Sequence, residues 1–142
     1  MNHRVFIAIN LPPQIREKLY ATRDQFPDLP CRWTKKENLH LTLVFLGSVG
    51  DQDITQICQS CQDIASKQAP FNLELNLVCY GPPKKFPPRP PKFLDLKFWR
   101  PRMVWAIGRK SPELAKLKND LEKSLFENVK SQGNDDLSLI HI

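Results

Sequence analysis

Two stretches of this chain open in the same way. Phe6-Ile7-Ala8-Ile9-Asn10 and Val104-Trp105-Ala106-Ile107-Gly108 are short apolar runs, and residues at helical spacing follow each of them. Aligned, they superpose Ala8 on Ala106 and Ile9 on Ile107. A strand, a helix and a strand, with the order then begun again and with alternating rather than all-apolar strands, predict an α+β fold. Its sheet is expected to be curved and largely antiparallel, with helices covering it.

Val5 to Ile9 reads as the first strand, ending at Asn10-Leu11-Pro12-Pro13. Ile15, Leu19, Thr22 and Phe26 then recur at helical spacing, and Phe26-Pro27-Asp28-Leu29-Pro30 closes that helix as a loop. Leu39 to Leu46 reads as a second strand ended by Gly47. Asp51 is a candidate N-cap for a helix whose apolar stripe is Ile54, Ile57, Cys58, Cys61, Ile64 and Ala65. Phe71-Asn72-Leu73-Glu74-Leu75-Asn76-Leu77 alternates strictly and predicts a half-buried strand running to Tyr80. In the second half Met103 to Ile107 is a strand. Ser111 is then an N-cap with Pro112 at the first helical position, and Leu114, Leu117, Leu121, Leu125 and Val129 make a stripe ending near Gly133. The repeat calls for one more strand after that helix, and only Leu137 to Ile142 can supply it.

With 142 residues the chain fits one domain with a real core, and 41% hydrophobic content argues against wholesale disorder. No apolar run approaches the ~18 residues of a membrane span, and Val5 to Ile9 is too short for a signal-peptide core. The chain is therefore read as soluble, cytoplasmic and monomeric, with no protein partner inferred. Four cysteines without a secretory signal do not argue for a disulfide framework.

The formal charge of +6 has an address. Residues 82 to 102 hold seven basic side chains (Lys84, Lys85, Arg89, Lys92, Lys97, Arg100, Arg102) against Asp95, which leaves the rest of the chain formally neutral. Seven of the 13 prolines lie there too, with Phe86, Phe93, Phe98 and Trp99. Proline at that density blocks helix and ladder hydrogen bonds, so an extended surface insertion is predicted. Cations interleaved with rings suit single-stranded nucleic acid or nucleotides. A solvated loop whose aromatics dock on the core explains the same residues equally well.

The chemistry sits on Asn38-Leu39-His40-Leu41-Thr42-Leu43-Val44-Phe45. On a strand His40 and Thr42 share one face, and Leu39, Leu41, Leu43 and Phe45 share the other. An imidazole can move a proton near neutral pH, and a neighbouring hydroxyl can donate to a non-bridging phosphate oxygen. The spacing alone fits the polar outer face of an amphipathic strand at least as well. No metal-ligand spacing is visible among three histidines and the cysteines, so no metal or cofactor is expected. Cys58-Gln59-Ser60-Cys61 has redox spacing, but both sulfurs fall on the apolar stripe, where packing is the expected role. P-loop, dinucleotide glycine pattern and nucleophile elbow are all missing from the sequence.

Arg4-Val5-Phe6-Ile7-Ala8-Ile9 with Leu11-Pro12-Pro13, Arg32-Trp33, Asn38-Leu39-His40-Leu41-Thr42-Leu43 and Phe45-Leu46-Gly47 together resemble the two-histidine (2H) phosphoesterases. The branch they are most similar to is the RNA 2′,3′-cyclic phosphodiesterases, also called 2′-5′ RNA ligases. Arg102-Met103-Val104-Trp105-Ala106-Ile107-Gly108 is similar to that branch as well. The resemblance implies a single domain over 1–142, built of two pseudo-symmetric lobes with a cleft between them. Residues 82–102 would be an insertion and 103–142 a partial second lobe. It also implies hydrolysis of RNA 2′,3′-cyclic phosphate ends to 2′-phosphomonoesters without a metal ion. One histidine of the family donates a proton to the leaving ribose oxygen and the other takes one from water. His40 matches the donor, and Thr42 would hold a phosphate oxygen. Trp33 could stack on a base, although an aromatic just before a strand more often packs in a core.

The chain departs from the family at its second motif, normally Pro-His-x-Thr/Ser-Leu. It reads Leu139-Ile140-His141-Ile142, with Ile140 at the proline position. Ala8 to His40 is 32 positions and Ala106 to His141 is 35, so His141 falls near where the repeat wants a histidine. A piece of a longer enzyme cut inside the motif, a foreign or frame-shifted tail, and a shortened idle relative all fit; the first two are preferred. The partners expected are RNA ends or cyclic nucleotides. The competing readings are a catalytically incomplete RNA- or nucleotide-binding module of the same fold, and a small-molecule cyclic phosphodiesterase or ligase unrelated to RNA.

Overall fold

The computed structural model describes residues 1–26, 32–81, 103–126 and 139–141. Strand β1 (Asn2–Asn10) leads to helix α1 (Pro13–Ala21), which tightens into a 3₁₀ turn over Thr22–Gln25. A second 3₁₀ turn, Lys36–Asn38, delivers the chain into β2 (His40–Gly50), and α2 (Asp51–Lys67) follows directly. Then come β3 (Leu75–Gly81), β4 (Met103–Gly108), α3 (Pro112–Leu125) and β5 (Leu139–His141). The repeat expected from the sequence is present as topology. In both β1–α1–β2 and β4–α3–β5 the second strand is a hydrogen-bonded neighbour of the first. The mixed α+β class with antiparallel sheets is the observed one. The basic, proline-rich residues 82–102 lie outside the described residues, as do Val129, Gly133 and Leu137 of the second half.

The chain divides into two compact units, each made of three segments. The first holds Met1–Ile9, Thr42–Leu73 and Lys110–Leu137. In it β1 and β2 run antiparallel, as two contacts show: the Asp51 N–H donates to the Met1 carbonyl at 3.2 Å, and Phe6 meets Phe45 with ring centroids 6.0 Å apart. Helices α2 and α3 pack on each other. The second unit holds Asn10–Leu41, Glu74–Arg109 and Ser138–Ile142, with β4 central in the order β3-β4-β5. Its registers are antiparallel, pairing Cys79 with Trp105 and Trp105 with His141.

Local chemistry explains most boundaries. Pro13 opens α1 because its fixed φ suits the first helical position and its missing N–H would have had no partner there. The helix ends where the Thr22 hydroxyl donates to the Lys18 carbonyl at 3.0 Å, closing one of the last-turn acceptors. Ser111 caps α3 as the sequence predicts: its hydroxyl oxygen accepts from the Leu114 N–H at 3.1 Å, and Pro112 follows. Leu114 and Leu121 of the stripe are buried, while Leu117 and Leu125 are half-buried. Asp51 and Asp53 sit in the first turn of α2 and Lys67 in its last, matching the helix dipole at both ends.

Four expectations need correction. Gly47 does not end β2; it sits inside the strand at φ 73°, a left-handed conformation open to glycine at little cost, and the strand continues to Gly50. Asp51 is not the cap of α2, because Gly50 takes that place. Its carboxylate is engaged instead by the Met1 ammonium at 2.9 Å and the His3 ring at 2.6 Å. The alternation of the Phe71–Tyr80 run does not become a strand until Leu75, and its burial pattern breaks at Leu77, which is 44% exposed. A bulge is the reason: Leu75 pairs with Gly108 and Leu77 with Ile107, so Asn76 has no opposite number. Finally, Cys58 is exposed rather than packed, and the α2 stripe is only half-buried at Ile54, Ile57, Cys61 and Ile64.

Two stability predictions follow from these contacts. Ser111→Ala should cost about 1 kcal/mol of unfolding free energy, read as a lower urea midpoint at unchanged m-value. The Asp51 carboxyl is held below its ordinary range, first by the Met1 ammonium and then by His3. A depressed native pKa gives stability that is present above the unfolded-state value and is lost as pH falls through the native one. Asp51→Asn should therefore flatten the acid limb of a stability–pH curve measured by urea unfolding.

Candidate active site

The turn Lys36–Asn38 fixes how β2 begins. The Asn38 N–H donates to the Lys35 carbonyl at 2.9 Å and the Leu39 N–H to the Lys36 carbonyl at 3.2 Å. Leu39, 2% exposed, and Leu41, 4% exposed, then bury the apolar side of the strand in the second unit. Fully burying a leucine is worth roughly 1.5–3 kcal/mol, so these side chains outweigh anything a half-exposed polar neighbour contributes. His40 and Thr42 take the alternate positions, and both are half-buried.

The expected alternation holds from Leu39 to Leu43 and then slips by one residue. Leu43 and Val44 are both buried, whereas Phe45 is 75% exposed. Phe45 is therefore not on the core side, which corrects the sequence expectation. From Thr42 onward β2 belongs to the first unit.

The His40 Nδ1 lies 2.6 Å from the Asn38 carbonyl oxygen. A carbonyl only accepts, so Nδ1 carries the proton of that bond in either charge state. The neutral ring is thereby the Nδ1–H tautomer, and Nε2 is the nitrogen that gains and loses a proton. Sequence reasoning missed this partner because any residue at position 38 supplies the same carbonyl; only the turn brings it into reach. Trp33 is half-buried and packs on Phe26, with ring centroids 6.3 Å apart at 41°. Among the described residues no three His, Cys, Asp or Glu side chains come together in a metal-holding group.

The second half contributes β5, which runs alongside β4 with His141 opposite Trp105. Position 141 thus occupies the strand that follows the helix of the second repeat, as position 40 does in the first. Among the described residues no helix is long and apolar enough to cross a membrane.

A family model described as LigT-like phosphoesterase matches residues 9–91, more than half of the chain, and the chain belongs to that family. An RNA 2′,3′-cyclic phosphodiesterase of Archaeoglobus fulgidus is 28% identical over 131 residues, covering 92% of this chain and 63% of that protein. The chain thus spans less than two thirds of the length of this curated relative. The crystal structure of Escherichia coli LigT complexed with NADP+ superposes with a TM-score of 0.71 at 27% identity, covering 99% of this chain and 71% of LigT. LigT complexed with 3′-AMP gives 0.65 at 27% identity, with the same coverage of both chains.

The tautomer is directly measurable. In ¹⁵N-detected NMR the neutral His40 ring should show a protonated Nδ1 and a pyridine-like Nε2. The opposite pattern would mean that the Asn38 carbonyl does not orient the ring.

Proposed function

We propose that the chain opens RNA 2′,3′-cyclic phosphates to 2′-phosphomonoesters by acid–base catalysis, with His40 and Thr42 at the reacting phosphate. The observation that carries this reading is the His40 ring itself: half-exposed on β2, anchored through Nδ1 to the Asn38 carbonyl, one alternate position from a hydroxyl. Its support from outside the chain is a family whose curated relatives are named RNA 2′,3′-cyclic phosphodiesterases. LigT complexed with 3′-AMP and with NADP+ extends the reading to nucleotides as ligands.

In this mechanism water attacks phosphorus in line with the 3′-oxygen of the ribose. The P–O3′ bond breaks, and the Nε2–H of the His40 imidazolium gives its proton to that oxygen. The ring that remains is the neutral Nδ1–H tautomer, the form the Asn38 carbonyl already selects, so no rearrangement accompanies the transfer. The Thr42 hydroxyl donates to a non-bridging oxygen as negative charge builds up on the pentacoordinate phosphorus. A second group must accept the proton of the attacking water, and position 141 is the candidate the repeat assigns. Two groups that must start in opposite protonation states give a bell-shaped pH–rate profile.

The test is turnover of a 2′,3′-cyclic nucleotide and a short cyclic-phosphate RNA in the presence of a chelator. His40→Ala should remove about 10²–10⁴-fold of the rate, and Thr42→Val about 10²–10³-fold. Loss of the basic limb of the pH profile in His40→Ala identifies the ring as the acid. Unchanged turnover in His40→Ala defeats the assignment. Salt-sensitive RNA binding without turnover points instead to a non-catalytic binding module.

A further inference from the structure

Helix α2 carries a cysteine pair that the phosphate chemistry does not use. Cys58 is exposed, Cys61 is half-buried, and both are free thiols. They are three residues apart inside a 17-residue helix, so their side chains are neighbours on one face. The other side chains one turn away from either are Ile54, Thr55, Ile57, Gln62, Ile64 and Ala65, none of them charged. No third ligating side chain joins the pair, because no group of three His, Cys, Asp or Glu occurs among the described residues.

Distances decide what such a pair can hold. Residues three apart on a helix have Cβ atoms about 5–6 Å apart, whereas a disulfide needs about 3.5–4.5 Å. Closing that bond in mid-helix would require the backbone to deform. A linear thiolate–metal–thiolate unit is wider: with metal–sulfur bonds of about 2.3 Å, the zinc–thiolate value, the sulfurs stand ~4.6 Å apart, a span suited to Cβ atoms about 5–6 Å apart. Two sulfur donors, with no carboxylate and only the neutral oxygens of Thr55 and Gln62 at the adjacent helical positions, disfavour hard cations, and zinc normally takes four ligands. Thiolates select soft cations, of which copper(I) accepts a coordination number of two.

We propose that Cys58 and Cys61 form a two-thiolate site for a soft monovalent cation of the copper(I) class on the outer side of α2. Binding displaces both thiol protons and changes no oxidation state: one cation and two thiols give a bis-thiolate complex and two protons. Burial, and then the charge of Cys58, push the Cys61 thiol up from its ordinary value. A cation between the sulfurs offsets that repulsion, and its apparent affinity should rise with pH because protons compete for the same atoms.

The test uses the reduced full chain under anaerobic conditions, with copper(I) supplied as its complex with a chromophoric chelator. The chain should withdraw one equivalent of copper(I). Cys58→Ser and Cys61→Ser should each weaken binding by about 10²–10⁴-fold, the loss expected when a linked second donor is removed. Cys31→Ser should bind like the unaltered chain. The double variant Cys61→Ser/Ser60→Cys keeps the thiol count but moves one sulfur off the shared face, so it should not recover affinity. Copper(I) should also slow maleimide alkylation of Cys58 in the unaltered chain and not in Cys61→Ser. Equal competition by the chain and both serine variants would overturn the proposal. So would full affinity in the double variant, a comparable loss in Cys31→Ser, or alkylation indifferent to copper(I). None of these readouts involves phosphate turnover, so the site stands or falls independently of the proposed activity.

Discussion

The burial of Leu39, Leu41 and Leu43 is the constraint that gives the candidate site its form. All three are under 9% exposed, and together they remove from water the whole apolar side of the strand at its entrance. Side chains on a strand alternate, so this burial leaves positions 40 and 42 no freedom to face the same way as their neighbours. Sliding the strand by a single residue would bury an imidazole and a hydroxyl and expose three leucines. That exchange forfeits several kcal/mol and is the reason the register is firm. The placement of His40 and Thr42 is therefore a by-product of hydrophobic packing, with the polar groups carried along by the pleat.

The ring adds a second level of positioning. A histidine on a pleated surface can rotate about its side-chain bonds, and a carbonyl two residues back removes much of that freedom. The anchor comes from a 3₁₀ turn rather than a side chain, which makes it insensitive to what residue 38 is. The same economy recurs at α3, where Ser111 accepts from the Leu114 N–H and donates to Glu113 at 3.1 Å, so one hydroxyl serves both the helix end and its first-turn acid. In β3 and β4 the backbone ladder extends past the bulge through the Arg109 N–H to the Glu74 carbonyl at 3.2 Å. The accompanying ion pair is exposed on both sides and contributes little to stability.

The same alternation that made the site legible misled elsewhere, and the failures share a cause. Phe45 carries the pattern of a core residue and lies 75% exposed against Phe6. Leu77 continues a strict alternation and is pushed outward by a bulge. Cys58 reads as part of an apolar stripe and faces solvent. In each case the pattern correctly reports that an element exists, and fails to report what covers it. A period defines a face; the presence of something packed on that face is a tertiary fact.

The sequence by itself determined the order of strands and helices, the cap at Ser111, the proline start of α3, the repeat of strand, helix and strand, and the shared face of His40 and Thr42. These depend on neighbours a few residues away, where dihedral preferences and hydrogen-bonding groups are written directly in the chain. Only the folded structure decided that Gly47 lies within β2 at positive φ, that Asp51 turns to the Met1 ammonium and His3 instead of capping its helix, and that the Asn38 carbonyl selects the His40 tautomer. Those outcomes depend on which groups meet across turns and between strands. Spacing along the chain cannot rank the competing partners until the backbone has brought one of them within hydrogen-bonding distance.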